Sequence, residues 1–189
     1  MIEPQKVILA SASPRRRELL KKVFPAFEVQ PTEVEEIVPE GTPARLQSEY
    51  LAMIKARPLA EQHPEALVIG SDTTVIVDDV VLGKPRDAEE AKAMLRLLSG
   101  RTHVVCTGVS LFYEGRETRF TESTEVEFYP MTEEEIDAYV ASGDPMDKAG
   151  AYGIQSGAGI FIKGIRGDYD TVMGLPAARI YQEIKIFLG

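Results

Sequence analysis

The 189-residue sequence predicts an α/β fold with a mixed sheet and flanking helices. Three observations predict it. The apolar run "KVILA" is followed at once by a helix start at Ser13-Pro14, the order of a strand feeding a helix. The β-branched stretch "ALVIGSDTTVIVDDVVLG" breaks at Asp78-Asp79, which predicts a long strand, a turn and a short return strand. Two further extended stretches flank Glu114-Gly115 and predict a hairpin.

The elements follow in order. "KVILA" is short and continuously apolar, as a buried strand is. "SPRRRELLKKVF" predicts a helix with Ser13 as cap, Pro14 first, and Leu19, Leu20 and Val23 as its apolar stripe. "FEVQP" predicts a second strand, and the acidic stretch 32–41 a loop. "TPARLQSEYLAMIKA" predicts a helix capped by Thr42 and begun by Pro43, which Pro58 should end or kink. "DAEEAKAMLRLLSG" predicts a helix from the Asp87 cap, with Glu90 three residues on, to the Gly100 stop. "RTHVVCTGVSLFY" and "ETRFTESTEVEFY" form the hairpin. "TEEEIDAYVASG" predicts another capped helix, from Thr132 with Glu135 to Gly143. "AYGIQSGAGIFIKGIRGDYD" is glycine-rich with a short strand inside, and "LPAARIYQEIKIFL" predicts a closing helix. No repeat or low-complexity linker divides the chain, so residues 1–189 are expected to form a single domain.

Composition narrows the function. The formal net charge is −9, which argues against stable binding along nucleic acid. It leaves room for a small anion held in a local basic pocket. No apolar run approaches the roughly 20 residues of a membrane span. The acidic Glu3 and short apolar core at the N-terminus argue against a secretory leader, so a cytoplasmic protein is expected. The one cysteine, Cys106, lies in an apolar run and reads as a buried thiol. His103, three residues away, should face the other side of the strand, which argues against a nucleophile–base pair. Phosphate-loop, dinucleotide, zinc and nucleophile-elbow signatures are absent.

Four stretches carry more chemistry than a fold requires. Arg15, Arg16 and Arg17 stand at a helix start, where positive charge is disfavoured, beside Ser11 and Ser13. A phosphate would explain them through guanidinium forks, and a solvated basic face is the alternative. In "GSDTTV", Asp72 interrupts an apolar strand, as a ligand-side carboxylate would, or as a solvent-facing strand end would. In "GKPRD", Lys84 sits between Gly83 and Pro85, either aimed at a phosphate or on a surface turn. In "DPMDKAGAYGIQSGAG", Asp144, Asp147 and Lys148 precede glycines around Gln155. Its amide both donates and accepts, which suits reading a base edge. Tight turns are the alternative. Glu35, Glu36 and Lys55 add charge nearby in sequence. Together these residues would supply cations for a polyphosphate and acids for a divalent metal.

The stretches "ILASASPRRRELL", "GSDTTV", "GKPRDAEEAKAMLRLLSGRTHVVCTGVSL", "EIDAYVASGDPMDKAGAYGIQSGAG" and "IRGDYDTVMGLP" occur in one order over residues 8–176. In this the chain resembles the Maf family of nucleoside triphosphate pyrophosphatases, the septum-formation-inhibitor-like proteins. The resemblance implies a strongly curved mixed sheet with a cleft between two lobes, like that of inosine-triphosphate pyrophosphatases. It implies hydrolysis of a nucleoside triphosphate to the monophosphate and pyrophosphate with a divalent cation, Mg2+ or Mn2+. Ser11, Arg15, Arg16, Lys55 and Lys84 would hold phosphates, which leaves Arg17 as a solvated neighbour. Glu36 and Asp72 would serve the metal and the attacking water, with Asp72 as proton acceptor.

Arg15, Thr73 and Gln155 match the branch that cleaves dTTP and UTP, whereas the 7-methyl-GTP branch resembles Ser-Pro-Trp, Asp-Gln and a glutamate at these places. Two positions depart from that branch. Ser71 stands where alanine is usual, and "GDYDTVMGLP" differs from the common Gly-Asp-Tyr-Tyr-Asn-Val-Val-Gly-Leu-Pro. The resemblance also implies a homodimer and a house-cleaning role against non-canonical nucleotides. The rival expectations are a pyrophosphatase for 7-methyl-GTP or modified purine triphosphates, and a nucleotide-sensing regulator of cell division.

Overall fold

A computed structural model describes residues 4–189; Glu3, used above in the leader argument, lies outside them. The elements are β1 (Val7–Leu9), α1 (Pro14–Leu20), β2 (Glu28–Val29), α2 (Ala44–Gln62), β3 (Leu67–Val77), β4 (Val80–Leu82), α3 (Ala88–Leu98), β5 (Thr102–Tyr113), β6 (Arg116–Phe128), α4 (Glu133–Ala141), β7 (Ile162–Arg166), α5 (Tyr169–Met173) and α6 (Ala177–Phe187). One sheet runs β2-β1-β3-β5-β6-β7, with β4 also paired to β3. β1 is parallel to β2 and β3, while β4 and β7 are antiparallel to their neighbours, so the sheet is mixed as expected.

The chain divides into two compact units. One holds the chain up to Asp72, Thr107–Glu122 and Gly174–Gly189; the other holds Thr73–Cys106 and Ser123–Met173. Strands β3, β5 and β6 each pass from one to the other. In the first unit Ile8, Ala10, Ala56, Leu59, Ala66 and Val68 form a core. In the second, a larger core gathers Val75, Leu95, Leu98, Val105, Val126, Phe128 and Tyr152 among others.

Local chemistry explains most boundaries. Ser13, Asp87 and Thr132 cap α1, α3 and α4 by accepting the N–H three residues on. Thr132 and Glu135 complete a capping box. Asp78 and Asp79 turn β3 into β4 with φ of 50° and 60°, and Glu114 and Gly115 turn β5 into β6 with 49° and 74°. Two successive left-handed residues match the twist of the flanking strands.

Two expectations need correction. Thr42 does not cap α2: Pro43 holds that position without a side-chain bond, and the Thr42 hydroxyl donates to the Pro39 carbonyl instead. Pro58 does not end α2, which continues to Gln62. The proline forfeits one backbone bond, while Ala56 and Leu59 on either side bury their side chains in the core and hold the helix. The short strand expected inside the glycine-rich stretch is β7, and the residues before it fold into three short 3-10 turns. Helix α5 was not anticipated; it starts where the Asp168 carboxylate accepts the Thr171 N–H.

Cys106 is a buried thiol, 3.3 Å from the Ser123 hydroxyl, and His103 has a different partner in Tyr152.

Candidate active site

In the first unit, close backbone approach places a charge cluster. A Cβ at Gly70 would lie 2.2 Å from the Ala52 carbonyl oxygen, so β3 and α2 touch there only because residue 70 is glycine. Asp72 lies two residues along β3 on the face of Gly70, and Lys55 lies one turn along α2 from Ala52. The two side chains meet: Lys55 Nζ donates to Asp72 Oδ1 at 2.6 Å. The same ammonium sits 3.0 Å from Glu36 Oε1. Lys55 and Asp72 are largely withdrawn from solvent, whereas Glu36 comes from an exposed loop. That loop is held by the Thr32 hydroxyl on the Lys55 carbonyl, 2.8 Å away.

The arginine stretch joins this cluster. Ser11 Oγ accepts the Ser13 N–H at 3.2 Å and Arg16 Nη1 at 3.4 Å. Arg16 Nε donates to the Gly174 carbonyl at 2.9 Å. Burial draws the Arg16 guanidinium below its ordinary pKa; Asp72 and Glu36 pull it back up, and Arg15 presses it down. Ser11, Arg15, Arg16, Glu36, Lys55 and Asp72 thus lie within one unit, from four separate stretches of chain.

Ser71 belongs to the same construction, although its departure from the usual alanine gave no reason to single it out. It is fully buried, and its hydroxyl donates to the Gly174 carbonyl at 3.0 Å, the oxygen that also accepts Arg16. Strand alternation turns it away from Asp72, toward a group that orients a guanidinium. A local reading could not find this, because Gly174 is 103 residues away.

Thr73, Lys84 and Gln155 belong to the second unit. Lys84 is exposed on the connector between β4 and α3, and Gln155 is exposed on the turn after Tyr152. The two segments are tied by the Gly150 N–H, which donates to the Gly83 carbonyl at 3.0 Å. Gly150 itself must be glycine: its φ is +68°, and a Cβ would fall 2.8 Å from Val75. Val75 shares a face of β3 with Thr73, two residues before it. Behind the turn, His103 Nε2 and the Tyr152 hydroxyl lie 2.7 Å apart in the core. Burial lowers the His103 pKa to about 4 and raises that of Tyr152, so both are neutral near pH 7.

Among the described residues, no group of three or more His, Cys, Asp and Glu side chains gathers as a metal site. Asp72 and Glu36 are the two carboxylates that meet Lys55. Two carboxylates suit a small hard cation that keeps waters and completes its shell with phosphate oxygens. No helix among the described residues is long and apolar enough to cross a membrane.

Residues 6–187 match the Maf family, described as "Maf-like protein", and the chain belongs to that family. It is 52% identical over 97% of its length to a protein of Bacillus cytotoxicus named dTTP/UTP pyrophosphatase, of which it covers 96%. Proteins of the same name from Agathobacter rectalis and Bacillus mycoides are 49% and 50% identical, over 95% and 97% of this chain and 96% of each relative. Among solved structures, the Ham1 protein of Staphylococcus aureus aligns over 98% of this chain and all of its own, with TM-score 0.52 and 14% identity. A Ham1 protein from Coxiella burnetii aligns over 96% and 98%, with TM-score 0.51 and 15% identity. These two share the fold.

Proposed function

From membership of the Maf-like family, we propose that the chain hydrolyses dTTP and UTP to the nucleoside monophosphate and pyrophosphate. The observation that carries the reading is Lys55 held between Asp72 and Glu36, with Arg16 anchored beside them. Relatives about half identical over nearly the whole chain bear the name of that activity.

The chemistry assigns each residue a task. Negative charge builds on phosphate oxygens as the α–β bridge breaks. Arg15, Arg16, Lys55 and Lys84 neutralise it, and Ser11 adds a hydroxyl donor. Asp72 takes the proton from the water that attacks the α-phosphorus. Asp72 and Glu36 fit a divalent cation, Mg2+ or Mn2+, which when bound would lower the pKa of a bound water and offset phosphate charge. Thr73 and Gln155 face the base, where the Gln155 amide offers both donor and acceptor to a pyrimidine edge. The reading takes the protein to act on free nucleotides in the cytoplasm, as a homodimer.

The test is incubation with dTTP, UTP, 7-methyl-GTP and ITP, each with Mg2+, with Mn2+ and with a chelator. The expected result is pyrophosphate and monophosphate released fastest from dTTP and UTP, and release that stops on chelation. Fastest turnover of 7-methyl-GTP would overturn the base assignment alone, and no pyrophosphate from any of them would overturn the enzyme reading.

A further inference from the structure

The turn that carries Gln155 is fixed by a buried charge network that nothing in the proposed chemistry uses. Lys148 is only 9% exposed. Its ammonium donates to the Asp144 carbonyl at 2.6 Å, to Asp144 Oδ1 at 3.0 Å and to Asp147 Oδ1 at 2.8 Å, which engages all three protons. The second oxygen of Asp144 accepts two short bonds, from the Tyr139 and Ser156 hydroxyls, both at 2.6 Å. Ser156 has one hydroxyl proton and two acceptors in reach, Asp144 and the Gly153 carbonyl at 3.1 Å. The shorter, charged contact takes it.

Ser156 directly follows Gln155. Its backbone N–H closes a turn onto the Gly153 carbonyl at 3.2 Å, with Gln155 at the third position. The other end of the turn reaches the tyrosine that donates to this acid, since the Gly153 N–H bonds the Tyr139 oxygen. Gly153 leaves no room for another residue: a Cβ would meet Ser156 Oγ at 2.6 Å and Lys148 Cε at 2.7 Å. Burial works against ionising Asp144, yet its bonds from Ser156, Tyr139 and Lys148 outweigh that and hold it below the usual carboxylate range.

We propose that Asp144, locked by Lys148 and Tyr139, is a positioning residue that fixes Gln155 through Ser156 and so sets the choice of nucleobase. This rests on the reading of Gln155 as the base-facing amide. The network lies within one unit, and none of its atoms needs to touch the nucleotide. A rotatable glutamine on a loose turn would accept either pattern of donors and acceptors on a pyrimidine edge. Held on a fixed turn, it favours one.

The experiment compares Ser156→Ala, Ser156→Thr, Asp144→Asn and Gln155→Ala, reading kcat and KM for dTTP and dCTP with thermal melting in parallel. Ser156→Ala should raise KM for dTTP about tenfold, with kcat within about twofold of wild type, as loss of one hydrogen bond would. The ratio of kcat/KM for dTTP over dCTP should fall by the same factor. Ser156→Thr, which keeps the hydroxyl, should retain the wild-type ratio. Asp144→Asn should move the ratio as Ser156→Ala does. If Gln155→Ala lowers the ratio and Ser156→Ala leaves it at the wild-type value, the positioning role is overturned and the base reading stands. If Gln155→Ala leaves the ratio unchanged, or the wild-type protein releases no pyrophosphate, the reading beneath it fails and the proposal with it.

Discussion

Lys55 and Lys148 each stand between two acids, and they differ in what the acids have left to offer. Lys55 takes one oxygen each from Asp72 and Glu36, residues 17 and 19 positions away along the chain. Lys148 takes its acids from its own turn, Asp144 and Asp147, and one of them is saturated on its second oxygen by Tyr139 and Ser156. A carboxylate with every oxygen bonded is a strut. A carboxylate that gives one oxygen to a movable ammonium keeps capacity for a metal, a water or a proton. On the proposed reading, identical residue types serve rigidity around Lys148 and chemistry around Lys55, and the count of hydrogen bonds per oxygen tells them apart.

Substitutions should break the comparison in opposite directions. The largest effect is expected from Asp72→Asn, which should lower kcat/KM for dTTP by about 10²- to 10⁴-fold, as loss of a general base does. Its melting temperature should stay close to wild type; a collapse of stability there would make Asp72 a strut as well. Lys148→Met should do the reverse, costing about 3 kcal/mol in urea unfolding because Asp144 is left without its cation. Stability equal to wild type would remove the distinction between the two lysines.

Acid should then sharpen it from behind the turn. His103 is neutral in the fold with its pKa lowered to about 4, against 6.5 when exposed. The folded pKa lies below the unfolded one, so this contribution is complete above pH 6.5 and is lost as pH falls toward 4. The loss amounts to about 3 kcal/mol. Urea titrations at stepped pH should show that slope, and His103→Phe should flatten it. The smallest effect belongs to Thr132→Ala, which removes the cap of α4 and should cost about 1 kcal/mol in urea unfolding.

Much of the site was legible because its chemistry is concentrated in short stretches. Arg15 and Arg16 announced themselves as cations at a helix start, with Ser11 beside them, and Asp72 as a charge in an apolar strand. What stayed hidden depended on distance along the chain. The Gly174 carbonyl that anchors Arg16 lies 158 residues from it, and no local pattern marks a backbone oxygen as an acceptor. Ser71 looked like a neutral exchange for alanine until that oxygen was found above it. Asp144 and Lys148 stood out as polar residues among glycines, but Tyr139 and Ser156 did not, since a tyrosine on an amphipathic helix reads as core.

The sequence by itself determined the caps at Ser13, Asp87 and Thr132, the hairpin turns, the alternation of strand and helix and the residue types a triphosphate would need. These follow from interactions within a few residues, where backbone geometry permits little choice. Tertiary structure decided which acid each lysine meets, how many oxygens remain available and which turn is locked. Those outcomes rest on glycine-sized approaches such as Gly70 on Ala52 and Gly153 on Lys148, where a single methyl group would separate the partners. Packing at that resolution is set by the whole chain at once.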